Sequence, residues 1–248
     1  MTFKPTEADI EDVLARGLKN RWYAICPSHF VSTKPISLHR LGYRLVLWRD
    51  ADGTPYALED HCPHRGAPLS VGIPLGNKIA CGYHGVQVRH DGTVVSVPGS
   101  PGCRMEGSRP TLSFTLRESN GAIFLYNSAN CGDVPPLNLP EQLTSDEYTS
   151  FLCYVEWQGD YRYVIDNVMD PMHGTYLHKQ SHSMSMGSQA AKFQLRDTDH
   201  GFIFEKADQR DVNFDWSEFG DTGLHWMRLD IPYPKTGGPG GNFGIIGC

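Results

Sequence analysis

Apolar residues at Ile10, Val13, Leu14 and Leu18 recur at helical spacing, so Glu7 to Leu18 is predicted to form a short helix. From Trp22 onward the period changes. Tyr43, Leu45 and Leu47 alternate with other residues. Asp52-Gly53 marks a turn, and Tyr56 to Leu58 supplies the returning strand. Val86 and Val88 lead into a second Asp-Gly turn at Asp91-Gly92, and Val94, Val95 and Val97 follow it. Ala122 to Tyr126 is a further apolar strand. The stretch predicts a small all-β domain ending near residue 130.

Cys131 to Pro140 is rich in Pro and Asn and reads as a linker. A strand is predicted at Phe151 to Trp157 and a helical stretch from Tyr161 to Leu177. Lys179 to Ser188 mixes Ser, His, Met and Gly and reads as a loop. Strands return at Lys192 to Leu195, Phe202 to Glu205, Leu224 to Ile231 and Phe243 to Ile246. Strand, helix and a run of strands make the second region α+β. The expected division is therefore residues 1–135 and 136–248. The apolar run that ends the chain, close before Cys248, is an unpaired β-prone segment, so the last part of the second domain is expected to be missing.

Composition narrows the function. Of 248 residues, 40% are hydrophobic and 20% charged, which suits a packed core and not disorder. The net charge is −6 and no Lys/Arg stripe exists, so a nucleic-acid partner is not expected. No basic run followed by an apolar stretch opens the chain, and no apolar run is long enough to span a membrane. The seven cysteines are mostly scattered, unlike a disulfide framework, and a reducing cytoplasm fits them.

Two cysteines stand apart. Cys62-Pro63-His64 is followed, sixteen residues later, by Cys81-Gly82-Tyr83-His84. Each arm brings one thiolate and one imidazole to a loop. Two thiolates suit one iron and two imidazoles the other, which is the ligand set of a Rieske [2Fe–2S] centre. Cys₂His₂ also suits zinc, but zinc modules pair like ligands along the chain, whereas both arms here are mixed. Gly66, Gly72, Gly82 and Gly85 would let the backbone approach a cluster, and Pro63 and Pro68 would stiffen the first loop. His61 has the wrong spacing for a ligand and reads as a surface or supporting residue.

A second motif lies at Asn167-x-x-Asp170-x-x-His173-x₄-His178. A non-haem Fe(II) site needs two histidines and a carboxylate with open positions beside them. On a regular helix His173 and His178 would diverge by about 140°. They reach one metal only if the helix bends or breaks, which Pro171 and Gly174 favour. Asp170 lies near the face of His173 and is placed to hydrogen-bond the ring nitrogen that does not bind metal. An ordinary helix with two satisfied histidines is the alternative. Val168, Met172 and Met184 read equally well as pocket lining or as core. For the carboxylate, Asp197, Asp208, Asp211, Asp215, Asp221 and Asp230 are present, none in a convincing context. His182, in the polar loop, reads as a surface or pocket residue, and His90, His200 and His225 carry no ligand spacing.

Together, Cys62-Pro63-His64-Arg65-Gly66-Ala67, Cys81-Gly82-Tyr83-His84-Gly85 and the His173/His178 motif resemble the catalytic subunit of Rieske non-haem iron aromatic-ring-hydroxylating oxygenases. Respiratory Rieske proteins carry an extra disulfide, and this chain has Ala67 and Tyr83 in that region. Their hydroxyls near the cluster sulfurs are replaced here by Val86-Gln87-Val88, which favours a low potential. The resemblance implies an N-terminal all-β Rieske domain and a helix-grip-like α/β catalytic domain. It implies a [2Fe–2S] cluster on Cys62, His64, Cys81 and His84, and a mononuclear Fe(II) on His173 and His178. It implies an NAD(P)H-dependent reductase or ferredoxin as electron donor, O₂ and an aromatic compound as substrates, and a homotrimer or α₃β₃ assembly. In that family the counterpart of Asp170 bridges the iron histidine to a cluster histidine of a neighbouring subunit. An electron-transfer Rieske protein and a catalytically inactive subunit are the rival readings.

Overall fold

The computed structural model describes residues 4–170, 172–178, 180, 190, 192–207, 216–233 and 241–247. The chain divides into two compact units, Met1–Leu137 with Glu141–Cys153, and Asn138–Pro140 with Tyr154–Cys248.

In the first unit, helix α1 (Glu7–Arg16) begins at a capping box. Thr6 Oγ1 accepts from the Asp9 amide at 3.2 Å, and the Thr6 amide donates to the Asp9 carboxylate at 2.8 Å. Gly17, at φ +67°, stops the helix at Arg16, two residues short of the predicted end at Leu18. Buried Asn127 then pins the exit, donating from Nδ2 to the carbonyls of Arg16 and Leu18.

Eleven short strands follow: β1 (Trp22–Pro27), β2 (Ile36–Arg40), β3 (Tyr43–Arg49), β4 (Pro55–Glu59), β5 (Ile73–Leu75), β6 (Lys78–Ala80), β7 (Gln87–Arg89), β8 (Val94–Ser96), β9 (Ser113–Phe114), β10 (Leu116–Ser119) and β11 (Ala122–Tyr126). They form three antiparallel sheets, ordered β1-β11-β10, β2-β3-β4-β9 and β5-β6-β7-β8. The predicted Asp-Gly turns close the β3-β4 and β7-β8 hairpins, with Gly53 and Gly92 at positive φ.

Strand β3 departs from the alternation read in the sequence. Leu45, Val46, Leu47 and Trp48 are all buried, because both faces of the sheet are covered. Leu45 and Leu47 join a core with Ile25, Phe114, Ile123 and Leu125. Val46 and Trp48 join another with Leu58, Ile79, Val88, Cys62 and Cys81. The β2-β3-β4-β9 sheet is therefore a middle layer, and burial of each such side chain stabilises the fold by about 1.5–3 kcal/mol.

Cys26 lies in the first of these cores. Burial pushes its thiol up from about 9 to about 11, against the pull of Arg40 and Arg49. The unfolded chain ionises this thiol at the lower value, so its share of stability is present below about pH 9 and lost as pH rises to about 11. A shift of that size corresponds to about 2–3 kcal/mol. The urea midpoint of the wild type should fall over this window, and Cys26→Ala should flatten the fall. An unchanged slope in the variant would refute the assignment.

The described residues of the second unit form α2 (Tyr161–Met169), α3 (His173–Leu177) and five strands, β12 (Phe193–Thr198), β13 (Gly201–Lys206), β14 (Trp216–Asp221), β15 (His225–Tyr233) and β16 (Gly241–Gly247). The strands form one antiparallel meander in sequence order, so the apolar run Phe243 to Ile246, expected to be unpaired, pairs with β15. One face carries the stacked pairs Phe193–Phe204 and Phe202–Phe219. The other carries Arg196, Glu205, Glu218 and Arg228, with Arg228 paired to Glu218 at 3.1 Å.

The α+β class with an all-β domain first is the class observed. Two details differ from expectation, and the break expected in the helical stretch is located. Residues 151–157 are exposed and form no strand, because a strand exists only by pairing and no described strand lends them its edge. The predicted helix is two helices, broken at Asp170. Strand β14 went unpredicted because Trp216-Ser217-Glu218-Phe219-Gly220-Asp221 has little apolar character. A Cβ at Gly220 would lie 2.3 Å from the Trp226 ring, so only glycine fits there. The predicted loop at Lys179 to Ser188, with His182 and Met184, lies outside the described residues apart from residue 180.

Candidate metal centres

Two loops of the first unit share one backbone design. In the first, the Cys62 amide donates to the Ala67 carbonyl and the Gly66 amide to the Cys62 carbonyl, at 2.8 and 2.9 Å. In the second, the Cys81 amide donates to Val86 and the Gly85 amide to Cys81, at the same two distances. Gly66 (φ +74°) and Gly85 (φ +71°) occupy the same place in each turn, in the left-handed region that favours glycine. The other two glycines serve packing between segments. A Cβ on Gly72 would come within 2.3 Å of the Ala80 carbonyl oxygen, and one on Gly82 within 3.0 Å of that of Val71.

The loops sort their ligands by type. Cys62 and Cys81 are 1% and 4% exposed, and their side chains meet at the base. His64 and His84 are exposed, with ring centroids 4.8 Å apart at 65°. Burial pushes the Cys62 thiol up, as does the neighbouring Cys81, while the amides of His64 and Arg65 point at the sulfur and lower it. Those donors favour a thiolate, the form iron binds. No three His, Cys, Asp or Glu side chains converge as one ion requires among the described residues. Sulfur beside sulfur and imidazole beside imidazole fit a two-iron cluster with distinct ends better than a single zinc.

The surroundings match this arrangement. Val86 and Val88 are buried and wall the sulfur side without hydroxyls. The Tyr83 ring lies 3.8 Å from that of His84. His61 is exposed, and its Nε2 would lie 3.1 Å from a Cβ on Gly66, so it supports the first loop from outside. The His90 ring packs on that of Tyr56 with centroids 5.0 Å apart. Arg65 is exposed.

Sequence reasoning missed what anchors the first loop. Asp60, 1% exposed, directly precedes His61 and Cys62. Its Oδ1 accepts from the Ser70 amide at 2.7 Å, and its Oδ2 accepts from Ser70 Oγ at 2.8 Å and Ser37 Oγ at 2.9 Å. Its carbonyl accepts from Arg44 at 2.8 Å. Asp60 thus ties both ends of the first ligand loop to β2 and β3. An acidic residue two places before the cysteine was the available signal.

In the second unit, α2 starts at Asp160, whose carboxylate accepts from the Arg162 amide, and stops at Asp170, whose backbone is extended at ψ 104°. A residue preceding proline is pushed out of the helical region, which places the break before Pro171. His173 then opens α3 and His178 closes it, bringing the rings to 5.3 Å at 71°. The Asp170 carbonyl lies 2.6 Å from His173 Nδ1. A carbonyl only accepts, so Nδ1 carries the proton and Nε2 the lone pair, the tautomer that ligates metal. The Asp170 carboxylate is 3.8 Å from the same nitrogen and accepts instead from the Met172 amide at 2.7 Å. The main chain, not the side chain, thus makes the expected bond.

The two imidazoles fit a mononuclear iron. Of the carboxylate candidates, Asp197 and Asp221 lie in β12 and β14, Asp230 in β15, and Asp208, Asp211 and Asp215 outside the described residues. No described carboxylate completes a three-ligand group with His173 and His178. Val168 and Met172 are half-buried.

Fold and donor set define an iron–sulfur protein with a second, histidine-bearing α+β unit. Residues 21–108 match the Rieske [2Fe-2S] domain, and residues 157–236 match the vanillate O-demethylase oxygenase C-terminal domain. The chain belongs to the Rieske non-haem iron oxygenases, whose cofactors are a [2Fe-2S] cluster and a mononuclear iron.

A vanillate O-demethylase oxygenase subunit of Pseudomonas sp. (strain HR199 / DSM 7063) is 33% identical over 164 residues, 66% of this chain and 46% of that protein. The oxygenase component of chloroacetanilide N-alkylformylase from Rhizorhabdus wittichii (strain DC-6 / KACC 16600) is 36% identical over 171 residues, 65% of this chain and 47% of that protein. The matches thus span about half the length of these relatives. Dicamba monooxygenase bound to dicamba superposes with a TM-score of 0.68 at 22% identity, over 91% of this chain and 71% of that one. The oxygenase of a carbazole 1,9a-dioxygenase complex with ferredoxin superposes at 0.65 and 22% identity, over 90% and 70%. These structures share the fold.

Proposed function

We propose that the chain is an oxygenase component that uses O₂ and electrons from a reductase or ferredoxin to hydroxylate, dihydroxylate or O-demethylate an aromatic compound. The observation that carries this is the pairing of thiol with thiol and imidazole with imidazole at the two matched loops, with a second imidazole pair on α3. In this reading residues 1–135 hold the cluster on Cys62, His64, Cys81 and His84, and residues 136–248 hold iron on His173 and His178. When bound, the cluster supplies electrons and the mononuclear iron activates dioxygen.

The side chains do the rest. Cys62 and Cys81 keep the sulfur end dry, and His64 and His84 face outward. The Asp170 carbonyl holds the His173 ring in its metal-binding tautomer. In this reading the Asp170 carboxylate, which is exposed, bridges to a cluster histidine of a second copy in a homotrimer or an α₃β₃ assembly. No disulfide joins the six described cysteines, which suits the cytoplasm. No described helix is long and apolar enough to cross a membrane.

A second reading, an electron-transfer or catalytically silent subunit, draws on the lack of a described carboxylate beside His173 and His178. Iron content separates them. Anaerobically purified protein should carry about three irons per chain, against about two for a cluster alone. With a reductase and a methoxylated benzoate it should consume O₂ only when substrate is present. Colourless protein holding zinc would exclude both readings.

A further inference from the structure

A third segment closes on the cluster loops, and it contains none of the cluster ligands proposed above. Residues 97–106 fold as successive turns. The Ser100 amide donates to Val97, the Cys103 amide to Ser100 and the Glu106 amide to Cys103. Val94 holds the far end, its carbonyl accepting from Gly107 at 2.8 Å and its amide donating to Ser108 at 2.9 Å. Pro98 abuts the second ligand loop, with its Cγ 3.3 Å from where a Cβ on Gly85 would lie. Cys103 and Met105 pack on the core that contains Cys62, Cys81, Val86 and Val97.

One side chain fastens the segment to itself. Glu106 Oε1 accepts from the Val97 amide at 2.7 Å, and Oε2 accepts from the Gly102 amide at 2.8 Å. Two donors five residues apart need an acceptor with two oxygens at the end of a side chain of this length. A charged acceptor makes both bonds stronger. The two amides hold the Glu106 carboxyl below the usual carboxylate range, so it stays charged at any working pH.

We propose that Glu106 is a positioning residue for the cluster: its carboxylate clasps residues 97–106 into a cap that shields the buried cysteine side of the ligand loops from water. The inference rests on the cluster reading above. Reduction adds negative charge to the cluster, and water stabilises that charge, so a loosened cap raises the reduction potential.

Removal of the carboxylate charge alone would also raise the potential, so two variants of the full-length chain are required. Glu106→Gln keeps the length and one acceptor but loses the charge. Glu106→Asp keeps the charge and both oxygens but is one methylene short of spanning both amides. Amide hydrogen exchange on metal-free protein and redox titration of the loaded protein provide two separate readouts.

The clasp predicts that both variants exchange the Val97 or Gly102 amide at least about tenfold faster than wild type. It also predicts that both raise the potential. Wild-type exchange at both amides in both variants would overturn the clasp. A potential that moves in Glu106→Gln but not in Glu106→Asp would overturn it too, leaving only a through-space charge effect. If the wild type takes up no cluster, the cluster reading fails by itself, and the exchange measurement still decides whether Glu106 holds the cap shut.

Discussion

Asp60→Ala should cost the first unit about 3 kcal/mol and abolish most of its cluster colour. The substitution removes the acceptor from the half-buried Ser70 amide and hydroxyl and leaves a void where the buried carboxylate stood, while Ser37, itself exposed, can turn to water. Each unpartnered buried donor costs about 1–3 kcal/mol. The Arg44 guanidinium contributes less, since it is half exposed and 3.7 Å away. Asp60→Asn should recover more than half of the loss. Its oxygen still accepts from the Ser70 amide, and the serine hydroxyls can rotate to accept from its NH₂ group. Urea denaturation of the metal-free and loaded forms measures both effects. A midpoint unchanged in the alanine variant would show that the first loop stands without this anchor.

His173→Ala should remove the mononuclear iron and leave the [2Fe–2S] spectrum intact. Substrate-dependent O₂ uptake should fall at least about 100-fold, since loss of a direct ligand exceeds the 10–100-fold effect of a supporting residue. His178→Ala should behave alike. Asp170→Asn is the informative contrast. The bond to His173 Nδ1 comes from the Asp170 carbonyl, which the substitution leaves in place, so iron should be retained. A fall in rate with full iron would then report on the carboxylate's outward-facing role. Loss of the cluster signal in His173→Ala would contradict the separation of the two centres.

The side chains proposed to bind metal were legible because their chemistry is carried by residue type and spacing. Cys62, His64, Cys81 and His84 stand out in any reading of the chain, and the awkward five-residue step from His173 to His178 announced the break at Asp170. Supporting residues were harder to see. Asp60 and Glu106 act by accepting from backbone amides, and an amide leaves no mark in a sequence. Strand β3 was found by its period, but that period described only half of it, since Val46 and Trp48 answer to a different core from Leu45 and Leu47. Strand β14 was lost because hydrogen-bonded neighbours on both sides make a strand of residues with little apolar character. Residues 151–157 show the converse, a β-prone run without a partner.

The middle position of the β2-β3-β4-β9 sheet has a thermal consequence. Neither outer layer owns its hydrophobic contacts, because each leans on the same central wall. Heat cannot peel one side away and leave the other native, since detaching either exposes a full face of β3 to water. Melting of this unit is therefore expected to be all-or-none, with Val46 and Trp48 on one face of β3 and Leu45 and Leu47 on the other losing their shelter at a single temperature.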